Sequence, residues 1–109
     1  LYMLIIDALQ YSNWSEKIFR EMKDGGITAV HVTICYHEDF KEMVQNVIAW
    51  NQRFEQYSQL IFHGRTAEDV HKANIEGRTA IFFGLQNCSP IEDNIGLVEV
   101  CHQLGVRFM

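Results

Sequence analysis

Apolar positions along this chain follow two alternating rhythms. Short runs dense in β-branched and aromatic residues occupy positions 2–6 (YMLII), 27–35 (ITAVHVTIC) and 79–85 (TAIFFGL). Between them, apolar residues recur every three or four positions. The dense runs predict strands buried on both faces, and the spaced stretches predict helices with one apolar stripe. The clearest stripe is Phe40, Met43, Val44, Val47, Ile48, Trp50 and Phe54, within a helix expected from about residue 38 to residue 57.

Punctuation supports the same division. Asn13 and Glu16 stand at capping-box spacing ahead of Ile18, Phe19 and Met22, and the Asp24-Gly25-Gly26 run stops that helix. Thr66 and Asp69 form a second capping pair, opening a helix that ends near Gly77. Ser89, Pro90 and Glu92 predict a helix start, with proline at the first helical position, running to Leu104 before Gly105. Residues 60–62 read as a short extended piece, and 106–109 as the opening of a fourth strand. Strands alternating with helices in this way predict a parallel sheet with helices packed outside it. The expected fold class is α/β: the amino-terminal half of a (β/α)8 TIM-type barrel, about strands 1 to 4. Such a barrel needs about 250 residues. An open doubly wound sheet is the alternative, although it would more naturally cover its last strand with a helix. On this reading the 109 residues form one partial barrel domain, with the rest of the barrel outside the chain.

Composition narrows the function. With 48% hydrophobic and 21% charged residues the chain reads as globular. No run approaches the roughly 20 apolar residues of a membrane helix. A net charge of −5, without a Lys/Arg cluster, argues against nucleic-acid binding. Cys35, Cys88 and Cys101 are odd in number and widely spaced, which suits reduced thiols and a cytoplasmic setting. A small molecule is the expected partner, neither nucleic acid nor membrane is expected, and a homo-oligomer is left open.

In either architecture, ligands bind at the carboxyl ends of the strands. Residues 33–39 are the densest in polar groups there. Glu38 and Asp39 are read as residues of the next helix's first turn, whereas His37 is an open site candidate. His31 is read as a buried neutral histidine with a hydrogen-bond partner. His63, His71 and His102 are read as surface or packing residues, and Cys35 as a small apolar filler. No glycine-rich phosphate loop occurs.

Residues 77–86 (GRTAIFFGLQ) and the later Ile95-Gly96-Leu97 and 104–109 (LGVRFM) resemble the renal (membrane) dipeptidase family of metallopeptidases, as do residues 5–11 (IIDALQY). The family's matching patterns are G-K-x-A-x-x-x-G-x-E-G-G-H, L-G-x-R-Y and, in the first strand, D-G-H-x-D. The resemblance implies a (β/α)8 barrel hydrolysing dipeptides or similar amides at a two-zinc site. It also implies metal ligands at three positions of this chain, where the residues are Leu9, Tyr11 and Gln86. None of these is the family's histidine, aspartate or glutamate, and Asn87-Cys88-Ser89 replaces Gly-Gly-His. The expectation is an amidohydrolase-like enzyme whose zinc site is altered or lost. The alternative is a silent barrel that binds a small molecule or protein through the old pocket. Pocket candidates are Tyr11, Tyr36, His37, Gln86 and Asn87; no catalytic residue and no metal ligand is assigned.

Overall fold

The computed structural model describes residues 3–109. Within them the elements are β1 (Ile6–Gln10), α1 (Glu16–Asp24), β2 (Ala29–Thr33), α2 (Phe40–Gln56), β3 (Ile61–His63), α3 (Ala67–Glu76), β4 (Thr79–Gly84), α4 (Leu97–Gln103) and β5 (Val106–Phe108). Every strand pairing is parallel. The predicted α/β alternation is therefore present, with five corrections.

The first strand lies further along than its hydrophobicity suggested. Tyr2, the first position of the predicted 2–6 run, lies outside the described residues. β1 begins only where β2 offers partners, with Ile6 opposite Ala29 and Asp7 opposite Val30. Backbone pairing, not side-chain greasiness, fixes its position. Because β2 covers only one edge of β1, Ile6 and Leu9 stay 59% and 47% exposed, so β1 is not buried on both faces.

The first helix is capped by Ser15, whose Oγ accepts from the Ile18 N–H at 3.4 Å, and not by Asn13. Trp14 decides this. It turns inward to stack on Phe19 (5.8 Å between ring centroids, 12°) and to meet Trp50 edge-on (5.2 Å). The residue before the cap thus pins the fourth helical position, and the chain enters the helix one step after Trp14. The Thr66–Asp69 pair caps α3 as its spacing predicts, and α2 has a capping box that the sequence reading did not name. Asp39 and Glu42 form a capping box on α2, and Asp69 accepts from the backbone N–H groups of Thr66 and Arg65 (3.0 and 2.7 Å).

The helix predicted from Ser89 to Leu104 is broken. A 3-10 turn at Ser89–Ile91 ends at Glu92, whose backbone sits at φ 55°, and α4 starts only at Leu97. Glu92 does not serve its own helix. Its carboxylate accepts from the Phe40 N–H at 3.1 Å, capping α2 across the loop.

The extended piece at 60–62 is a true strand, so the sheet has five strands and not about four. β4 lies between β2 on one side and, on the other, β3 along its first half and β5 along its end. The path therefore steps forward from β2 to β3, back to β4, and forward again to β5. With right-handed crossovers, the one backward step must throw α3 onto the opposite face from the other helices. Burial agrees. Val30, Val32, Ile81 and Phe83 pack with Phe19, Met43, Trp50 and Cys101 of α1, α2 and α4, whereas Ala29 and Ala80 pack with Ala73 of α3. A single outer helical layer was expected; α3 departs from it. Among the described residues, no helix is long and apolar enough to cross a membrane.

Candidate functional site

The carboxyl ends of β1, β2 and β4 carry the loops in which the sequence placed its candidates. On the first of these, Asp7 is used locally: its carboxylate accepts from the Leu9 N–H at 3.1 Å and from the Gln10 side-chain amide at 3.3 Å. Leu9 is half exposed, and Tyr11 is 66% exposed.

After β2, Glu38 folds back on its own turn. Its carboxylate accepts from the N–H groups of Tyr36 (2.5 Å) and His37 (2.9 Å). Although partial burial works against ionisation, these backbone bonds hold its carboxyl below the usual range. Glu38 closes the loop ahead of the Asp39 cap and so lies outside the helical first turn expected of it, leaving the helix dipole to Asp39 and Glu42. Cys35 is buried, with Ser89 Oγ 3.5 Å from its sulfur, and burial pushes its thiol pKa up. A protonated, enclosed thiol is a poor nucleophile, in keeping with the filler reading.

Of the five pocket candidates, the structure brings two together. Tyr11 and Tyr36 meet edge to face with centroids 5.5 Å apart, and both line a groove of about 250 Å³ between the β1–α1 loop and α2. His37, Gln86 and Asn87 are exposed side chains outside that groove. The Asn87 side-chain oxygen accepts from the Ser89 N–H at 2.9 Å, shaping the 3-10 turn.

Sequence reasoning missed a second cavity, of about 390 Å³, on the face that carries α3. Phe82 and Phe108 line it together with Asp7, His31, Arg65, Thr66 and Arg107, yet the surface facing the cavity is almost wholly apolar. His31 Nδ1 donates to the Ala8 carbonyl at 2.6 Å, the partner expected of it, and its ring stacks on Phe108 at 4.3 Å. Its Nε2 is buried without a partner above Gly84, where a Cβ would lie only 1.7 Å away. Glycine at that strand position makes room for the imidazole. Arg107 is spent on structure, with its guanidinium donating to the carbonyls of Arg65, His102 and Val106 (2.8, 2.9 and 2.9 Å). The pairing of β4 with two short strands could not be read from hydrophobicity, and neither could this cavity.

His63 packs, as expected, between Phe54 (5.2 Å, 10°) and Phe83 (4.3 Å, 35°), with Nε2 buried and unpartnered. Burial first, then the charges of Arg65 and Arg107, lower its pKa to about 4 against a weaker pull from Asp69. A proton therefore binds the unfolded chain more tightly. The stability this histidine contributes is complete above its ordinary pKa of 6.5 and is lost as pH falls toward 4. After allowance for solvent screening, the loss between pH 7.5 and 5.5 is expected to be about 1 kcal/mol. Denaturant titrations at the two pH values measure it. An equal loss in His63→Phe would assign the acid sensitivity elsewhere.

No family model matches the chain, and no curated protein matches it. Solved structures do. An amidohydrolase from Pseudomonas aeruginosa is 39% identical, with a TM-score of 0.93, over 94% of this chain and 32% of its own. A dipeptidase AC, a metallopeptidase, aligns at 14% identity and TM-score 0.74 over 96% of this chain and 41% of its own. A metallopeptidase from Rhodobacter sphaeroides, liganded with a phosphinate mimic of the dipeptide L-Ala-D-Ala, aligns at 12% and 0.68, over 96% of this chain and 44% of its own. At these last two identities the likeness is one of fold alone. The chain spans between 32% and 44% of the length of these neighbours.

Parallel strands alternating with helices, matched over that share of larger chains, define a half-barrel with a hydrolase-like fold. Its similarity to an amidohydrolase and to dipeptidase metallopeptidases bears out the resemblance to the membrane dipeptidases carried by the first strand and the last third of the sequence. The family's two zinc ions do not fit the residues present. Leu9 offers no lone pair, Tyr11 is turned edge-on to Tyr36, and Gln86 is a neutral amide. Among the described residues, no group of three His, Cys, Asp or Glu side chains is placed to hold a metal ion.

Proposed function

We propose that the protein is a dipeptidase-like amidohydrolase that hydrolyses a dipeptide or similar amide, with the two-zinc site of the family it resembles altered at the ends of β1 and β4. The observation that carries this reading is the 39% identity and TM-score of 0.93 to an amidohydrolase over 94% of the chain. A second reading is favoured by Leu9, Tyr11 and Gln86 themselves: a silent barrel that binds a small molecule or a protein through the former active-site mouth.

Two measurements on the purified protein separate these readings. In a panel of dipeptides and other simple amides assayed with and without added zinc, turnover of at least one member is expected. No hydrolysis under any condition would favour the silent binder. Elemental analysis should give a zinc content that Tyr11→Phe and Gln86→Ala leave unchanged, because neither residue is assigned to a metal. Two zinc ions per chain, lost in either variant, would overturn the altered-site reading.

A further inference from the structure

In the groove of about 250 Å³, Tyr11, Ser12 and Trp14 of the β1–α1 loop share a wall with Asn46, Trp50 and Arg53 of α2. The loop and the helix are separated by α1 and β2, so the groove exists only in the folded chain, outside the face that carries α3. Its volume lies below the roughly 300–1,000 Å³ of drug-sized sites, leaving room for an amino-acid-sized molecule.

Arg53 is the unusual member. It is half buried, and its guanidinium carbon lies 4.7 Å from the centre of the Trp50 ring. Burial lowers its pKa, as expected for a partly dehydrated cation. None of the ion pairs among the described residues includes it, and its guanidinium makes no hydrogen bond there. Arg78 and Arg20, by contrast, each have a glutamate. The groove's one acidic member, Glu38, already accepts two backbone N–H groups and precedes α2. From Phe40 to Arg53 the helix rises about 20 Å, so the acid and the guanidinium are rooted far apart. Aromatic surface fills the space between: the edge-to-face Tyr11–Tyr36 pair and the edge-on Trp14–Trp50 pair. Such rings offer flat apolar area at little entropic cost.

The geometry points to a binding site for a small aromatic carboxylate, with its acid group on Arg53 and its ring among Tyr11, Trp14 and Tyr36. A planar guanidinium with unused donors matches a carboxylate in two-point fashion. This site shares Tyr11 and Tyr36 with the candidate pocket, but the assignment rests on Arg53 and the aromatic pairs and not on the proposed hydrolysis.

Calorimetric titration of the protein with 3-phenylpropionate, phenylalanine and 3-phenylpropanol tests the assignment. Saturable binding of the two carboxylates is expected, with the neutral alcohol binding at least tenfold more weakly. Arg53→Gln should weaken 3-phenylpropionate by tenfold or more. Ala49→Phe, which fills the groove and leaves Arg53 in place, should abolish binding; thermal melts establish that both variants are folded. Equal affinity for acid and alcohol, an undiminished affinity in folded Arg53→Gln, or no saturable binding of 3-phenylpropionate would each overturn the proposal. If phenylalanine alone binds, Glu38 is the anchor of its ammonium group and the carboxylate assignment fails.

Discussion

Truncating Phe83 to alanine is expected to cost the fold about 3–5 kcal/mol, enough to unfold much of the population of a marginally stable protein. Phe83 is completely buried near the carboxyl end of β4, a strand with partners on both sides. Its ring contacts His63 at 4.3 Å, Phe54 at 6.0 Å and Trp50 at 6.3 Å between centroids. Through those three it joins β3 to α2. Removing it takes away a large apolar transfer term and leaves a cavity walled by rings that cannot collapse freely. Phe83→Leu keeps most of the volume and should cost about 1.5 kcal/mol or less. Urea titration of both variants measures the difference. Similar midpoints for Phe83→Ala and the parent protein would mean that the aromatic cluster is not the core.

Gly105→Ala should be nearly as damaging, at about 3–5 kcal/mol, for two separable reasons. The residue sits at φ +106°, a conformation that L side chains rarely adopt, in the turn from α4 to β5. An added Cβ would also lie 2.3 Å from His63 Cε1 and 2.4 Å from Nε2, inside a ring already held between two phenylalanines. The second penalty can be removed on its own. In a His63→Ala background the clash disappears and only the backbone strain remains, so Gly105→Ala should then cost less by about 1–3 kcal/mol. Additive losses in the double-mutant cycle would show that strain alone accounts for the effect.

The predicted α/β class held because it rests on backbone periodicity, which apolar spacing reports directly. Residues 27–35 and 79–85 contain β2 and β4, and the stripe from Phe40 to Phe54 is α2. What the spacing could not supply was long-range competition. Ser89, Pro90 and Glu92 have the pattern of a helix start, but Glu92 has a better use for its carboxylate on the neighbouring helix, and the local pattern lost. Asn13 lost its cap for a similar reason, since Trp14 gains more by entering the aromatic cluster. The site was legible only in part. Tyr11 and Tyr36 meet, as residues at two adjacent strand ends can. Arg53 was hidden within the stripe of α2, where one polar residue three positions after Trp50 looks like an ordinary surface arginine until its missing partner is noticed.

The backward step from β3 to β4 also bears on how the chain acquires its shape. β2 cannot complete its ladder with the next strand to be synthesised; Ala29 must wait for Ala80, with α2, β3 and α3 intervening. Closing so long a loop carries an entropic toll before any hydrogen bond of that ladder rewards it, and high contact order slows folding. Until β4 arrives, the inner edge of β2 is an open template for a stray strand. Before β4 joins them, β1 and β2 are a strand pair that lacks the sheet's central member.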